Sequence, residues 1–204
     1  MLKPLSNTIH GVIDFTWPMV IISVIIMVSF RITYLIKSHE KIVIYKELSM
    51  LVFAVYILCL FQVVTFQDDA SWASNNFIPF KEILRYNITS RLFIKNVLGN
   101  MMMFLPFGFF ASYYLRAEKK VLPLLLTIIA SISIEVVQLI IGRVFDVDDI
   151  ILNIIGGLVG YYIYAVLREI NNKFPKVFGN EWVRNILAML AASAVAAFIV
   201  MMYI

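Results

Sequence analysis

A chain of 204 residues that is 62% hydrophobic and 15% charged, with a mean hydropathy of +0.90, is too apolar for a soluble globular domain. Such domains run at about half apolar and a quarter charged. The composition is that of an integral membrane protein, and the net charge of +4 asks for no nucleic-acid partner, because its lysines and arginines sit beside apolar runs, where orientation signals belong. Cys59 is the only cysteine, which excludes an intramolecular disulfide and reads as a small core residue, not a nucleophile.

In chain order, residues 1–16 hold Lys3, Pro4, His10 and Asp14 among scattered apolar positions. They read as a short segment along the membrane surface, not as a cleavable leader. A first span is expected at about Trp17–Ile36, with Pro18 in its first turn and Arg31 reaching the interface near its end. Lys37, Lys41 and Lys46 make the next loop basic. Leu48–Phe66 forms a second span, roughly 28 Å long at 1.5 Å per residue.

Residues 67–95 form the longest polar connection. Within it Phe80, Ile83 and Leu84 fall on one helical face and Lys81, Glu82 and Arg85 on the other, which predicts an amphipathic helix at the headgroup level. The third span is Asn96–Leu115, with Pro106 and Gly108 near its middle. The fourth is about Val121–Ile141, the fifth about Ile150–Leu167 and the sixth Ile186–Ile204. An acidic hinge, Arg143 to Asp149, joins the fourth and fifth. The expected fold is all-α: one polytopic transmembrane bundle over residues 1–204, of about six spans, with an amphipathic extracytoplasmic loop helix.

With six spans, one set of loops collects Lys37, Lys41, Lys46, Arg116, Lys119, Lys120, Arg168, Lys173, Lys176 and Arg184. The positive-inside rule makes that side cytoplasmic and turns both termini outward. Glu135 and Gln138 then lie in the outer third of the fourth span, Asn153 one turn below the outer surface in the fifth, and Asn96 and Asn100 at the outer end of the third. Spacing sharpens this: Ser131, Glu135, Gln138 and Gly142 share one face, and Asp146, Asp149, Asn153, Gly156 and Gly160 form a stripe on the fifth helix. Gly156-x-x-x-Gly160 permits close approach of a neighbouring helix. A carboxylate inside a membrane-length run is costly and faces a protein interior or a wet cavity.

At these residues the sequence resembles the VanZ-like family of membrane proteins associated with teicoplanin resistance. The matching pieces are NFIPF at 76–80, NVLGNMMMFLPFGF at 96–109, EVVQ at 135–138 and GRVFDVDDIILNIIGGLVGY at 142–161, spanning about residues 76–164. The resemblance implies a bacterial plasma membrane and draws attention to Asn76, Pro79, Asn96, Asn100, Pro106, Glu135, Gln138, Arg143, Asp146, Asp149, Asn153 and Gly157. An antibiotic of that type acts outside the cytoplasm, which agrees with the outward placement.

The chemistry stays open among several readings. Glu135 is either a buried acid able to exchange a proton or a structural tie between helices. Asp146, Asp148 and Asp149 are either ligand-facing or a solvated turn whose last acid caps the fifth helix. Arg143 is either a clamp for a phosphate or a partner for Asp146. Hard oxygen ligands would suit a divalent cation, but the absence of a His/Cys cluster argues against zinc, and neither metal nor cofactor is expected. The leading expectation is an outward-opening polar pocket formed by Asn76, Asn96, Asn100, Glu135, Gln138, Arg143, Asp146, Asp149 and Asn153. It would engage membrane lipids, specifically a lipid-linked cell-wall precursor, or the lipoglycopeptide itself. The alternatives are an intramembrane enzyme with Glu135 and Asp149 as acid and base, and a proton-coupled transporter.

Overall fold

The structure is a computed structural model, and it describes residues 3–66, 75–85, 87, 90, 93–186 and 188–189. Among these the chain is helical: α1 Lys3–Ser38, α2 Ile44–Phe66, a five-residue α3 Lys81–Arg85, a π-helical turn Ile94–Leu98 that runs into α4 Gly99–Leu115, α5 Val121–Ile140, α6 Val147–Lys173 and α7 Pro175–Phe178. Residues 181–186 form a further helical turn. The described residues contain no strand; a single isolated parallel bridge pairs Asn76 with Asp146.

Among the described residues, four helices are long and apolar enough to cross a membrane: Pro18–Ser38, Ile44–Phe61, Val121–Ile140 and Val147–Lys173. The expectation of six spans is therefore met in four. The third expected span is α4, whose 17 residues give about 26 Å of α-helix, extended by the π turn at its start. Most of the expected sixth, Ile186–Ile204, lies outside the described residues. The expected break before Trp17 is absent, since α1 runs unbroken from Lys3.

The chain divides into two compact units, Met1–Phe66 with Asn171–Ile204, and Gln67–Ile170. In the first, α1 and α2 form a hairpin. Arg31 pairs across the connection end: its Nε and Nη2 donate to the two carboxylate oxygens of Glu47, each at 2.7 Å. A guanidinium inside an apolar run is stabilised by such a fork, and Glu47, across the hairpin, is within reach.

In the second unit the pattern of burial is inverted relative to a soluble bundle. The buried residues of α5 are Pro123, Thr127, Ser131, Glu135 and Gln138, one stripe at helical spacing, while Leu122, Leu125, Ile129, Ile132 and Val136 are exposed. Small and polar residues inside, large aliphatics outside, is the arrangement that lipid favours, because tails solvate leucine as well as protein does. The closest helix contacts are glycine-made. A Cβ on Gly156 would stand 2.1 Å from the Met101 carbonyl oxygen, one on Gly160 2.1 Å from that of Leu105, and one on Gly108 1.9 Å from that of Gly157. On its other side Gly157 abuts the Thr127 side chain of α5, where a Cβ would meet Cγ2 at 2.5 Å. The backbones of α4 and α6 thus touch, and α5 packs into the same seam.

Each end of this seam is fixed by local chemistry. α5 stops at Gly142, whose φ of +85° suits the left-handed C′ position. Arg143 N donates to Gln138 O at 2.9 Å and Gly142 N to Leu139 O at 3.2 Å, the paired bonds of a Schellman ending. At the opposite end α4 closes the same way through Arg116 (φ 48°), with Ala117 N on Ser112 O at 2.9 Å. There Arg168 Nη1 donates to Ala117 O at 2.8 Å and the Tyr161 hydroxyl to Glu118 O at 3.2 Å. From Val147 to Arg168 is about 31 Å of helix, so the two ends are a membrane thickness apart.

Candidate functional site

The hinge end of this unit gathers polar side chains from four parts of the chain. The anchor is Asn76. Its backbone N donates to Phe145 O at 2.8 Å and its carbonyl accepts from Val147 N at 3.0 Å, so residues 75–77 lie alongside the hinge as a one-residue strand pair. Its side-chain Nδ2 donates to Asp146 Oδ1 at 2.8 Å, and its Oδ1 accepts from Ile78 N at 3.2 Å. Asn75, which sequence reasoning passed over, adds a bond from Phe145 N at 2.9 Å. The Phe77 and Phe145 rings stack above these bonds, 5.2 Å between centroids.

Asp148 holds the rest of the loop. It is 1% exposed, and its carboxylate accepts from Phe80 N at 2.5 Å, Glu82 N at 2.7 Å and Ile83 N at 3.1 Å. The reading of Asp148 as part of a solvated turn is therefore corrected. It caps a helix, but the helix is α3, sixty-odd positions earlier in the chain, not α6, whose first turn contains it. Phe80 carries φ +66°, a left-handed conformation costing about 1–3 kcal/mol in a bulky residue. Charge-assisted bonds from a buried carboxylate are strong enough to hold it.

Glu135, the carboxylate inside the apolar run of α5, is 1% exposed. Its Oε2 accepts from Asp146 N at 3.0 Å, tying α5 to the hinge. Gln138 extends that tie: in the amide orientation that satisfies both neighbours, its nitrogen donates to Glu135 Oε1 at 3.0 Å and its oxygen accepts from Arg143 Nη1 at 3.1 Å. Asp149, on α6, accepts a short hydrogen bond from Asn100 Nδ2 of α4, and its charged neighbours are Asp146, Glu135 and Asp148. One turn deeper, Asn153 Nδ2 donates to Ser131 Oγ at 3.0 Å, while Asn153 Oδ1 is buried with no donor among the described residues.

Of the nine residues expected to line a pocket, eight meet at this end in three hydrogen-bonded groups: Asn76, Asp146, Glu135, Gln138 and Arg143 are linked in one, Asn100 and Asp149 form a pair, and Asn153 bonds Ser131 on the Glu135 stripe. Asn96 is half-buried in the π-helical turn of Ile94–Leu98, one turn before Asn100. Asp146 is not on the α6 stripe as expected but precedes the helix, which begins at Val147. Its Oδ1 accepts from Asp148 N at 2.8 Å as well as from Asn76. Burial holds its carboxyl above the usual carboxylate range, the Asn76 and Asp148 N–H bonds oppose that, and the charges of Asp148 and Glu82 add to it. Among the described residues no group of three or more His, Cys, Asp or Glu has the geometry to hold a metal.

In electrostatic terms the set contains four acids, Glu135, Asp146, Asp148 and Asp149, together with Arg143. Asn76, Glu135, Gln138, Asp148 and Asn153 are buried, whereas Asn96, Asn100, Arg143, Asp146 and Asp149 are half-buried and form its accessible rim. Comparison with known proteins gives one finding: the family model described as VanZ/LLP1 matches residues 53–168. No curated protein and no solved structure matches the chain.

Proposed function

Because the chain belongs to the VanZ/LLP1 family, we propose that this cluster of polar side chains is an outward-facing binding site in a bacterial plasma membrane, and that it engages the polar part of a lipid-linked cell-wall precursor or of a lipoglycopeptide. In this reading the protein binds without catalysing and contributes to teicoplanin-type resistance. The observation that carries it is the meeting of Asn100 of α4, Glu135 and Gln138 of α5, Asp146 of the hinge and Asp149 of α6 at one end of the unit. The buried members fix the geometry. The half-buried rim of Asn96, Asn100, Arg143, Asp146 and Asp149 meets the ligand, with amides and carboxylates accepting from hydroxyl or amine groups and Arg143 facing an anionic one.

Binding is favoured over acid–base chemistry by the state of Glu135. Both its oxygens already accept hydrogen bonds, from Asp146 N and from Gln138, which suits a positioning residue better than one that must pass a proton to a substrate. The test is lipoglycopeptide susceptibility in cells producing the protein at matched levels, with Glu135→Gln and Asp149→Asn variants. A rim variant that loses protection while keeping its melting temperature supports the reading. Unchanged susceptibility in both variants contradicts it.

A further inference from the structure

The first unit holds a cavity of its own, about 330 Å³, between α1 and α2. Its walls are Met27, Ile32 and Leu35 from α1 and Ile44, Leu48 and Leu51 from α2, with Ile42 of the connection. Arg31 and Glu47 also line it, but each spends its charge on the other through the two 2.7 Å bonds. A polar headgroup entering here would lose hydration and meet groups already paired. A hydrocarbon chain would bury apolar surface at about 25 cal/mol per Å². The volume stands at the small end of ligand sites, which run from about 300 to 1,000 Å³, so it suits one chain, not a bulky ring system.

The connection end of the hairpin is cationic. Lys37, Lys41 and Lys46 are exposed there. Tyr45 lies between two cations, with Lys46 Nζ 5.9 Å and the Arg184 guanidinium 4.7 Å from its ring centroid. Asn185 accepts from Tyr45 N at 2.9 Å, which fixes Arg184 to this corner; Arg184 Nη2 donates to the Gly179 carbonyl at 2.7 Å, a neutral partner that leaves its charge uncompensated, and its Nε is buried with no acceptor among the described residues. Against these four cations, Glu47 is neutralised by Arg31, and Glu40, which accepts from the neutral Tyr34 hydroxyl at 3.0 Å, offsets one. An apolar slot ending beside unbalanced cations matches an amphiphile with a negative head. We infer that the α1–α2 cavity takes one acyl chain of an anionic phospholipid, whose phosphate rests on Lys41, Lys46 and Arg184.

The test places the full chain in phosphatidylcholine vesicles carrying a trace of either phosphatidylglycerol or phosphatidylcholine with a photoreactive diazirine midway along one acyl chain. Adducts are mapped by mass spectrometry. The phosphatidylglycerol probe should label residues 27–51 severalfold more than the phosphatidylcholine probe. Leu48→Trp, which fills the slot, should reduce that labelling severalfold, and Lys41→Gln with Arg184→Gln should erase the difference between probes. Equal labelling of the wild-type chain by the two probes, or adducts spread evenly over the faces of the other spans, overturns the inference. The wild-type comparison needs no variant, so it decides the matter even if Leu48→Trp fails to fold.

Discussion

Asp148 and Asp146 sit two residues apart and face opposite demands. Asp148 spends its charge on three backbone N–H groups of the loop, so Asp148→Ala leaves those donors without an acceptor and should cost about 2–3 kcal/mol. The melting temperature should fall, and amide exchange at Glu82 and Ile83 should rise far more than in α5; uniform change across the unit would contradict the assignment. Asp146 has a folded-state carboxyl raised mainly by burial. Its stabilising contribution is then complete below the ordinary aspartate value and is lost as pH rises through the raised one. Asp146→Asn keeps an acceptor for Asn76 and removes the titration, so its melting temperature should depend less on pH across that acidic window. Melting curves that shift with pH as in the wild type would refute this.

At the scale of the element, the seam of α4, α5 and α6 depends on glycines that touch backbone. Gly160→Val places carbon where the Leu105 carbonyl stands 2.1 Å away. Neither backbone can step aside as a side chain would, so the cost should be at the upper end of overpacking, about 3 kcal/mol or more. Gly142→Ala is the control: nothing lies within 4 Å of its Cβ, and only the positive φ is strained, for about 1 kcal/mol. Thermal melts of the two variants in detergent should differ in that order, and equal effects would argue against the close approach.

The α5 stripe was legible in the sequence, because Ser131, Glu135 and Gln138 repeat at helical spacing and a polar residue in such a run has to turn inward. The Gly156–Gly160 contact was legible for the same reason. Other features were hidden by their nature. Asp148 answers to Phe80, Glu82 and Ile83, and no local periodicity reports a partner that far along the chain. The contribution of Asn75 and the π-helical register at Asn96 depend on how the loop meets the hinge. In the sequence Gly108 is simply a glycine near the middle of its span, although its lack of a side chain makes room for the Gly157 carbonyl of α6.

For the molecule as a whole, the division between membrane-crossing helices and polar ends is what the composition implies. Charge bias adds the direction: Arg116, Lys119 and Lys120 lie in the α4–α5 turn, beside Arg168, which bonds Ala117, and the acid and amide set lies at the other end of the same helices. The proposed direction follows from the positive-inside rule, which would make the basic end cytoplasmic and turn the candidate site outward. A binding role for a ligand outside the cell requires that direction, and the reading of the rim as a binding surface fails without it.

The most direct measurement uses single cysteines at Ile78, beside the site, and at Glu118, in the basic turn, each introduced with Cys59→Ser and exposed to a membrane-impermeant maleimide on intact cells. The account predicts labelling at position 78 and protection at position 118 until the cells are permeabilised. Labelling of position 118 from outside, with position 78 protected, would contradict it.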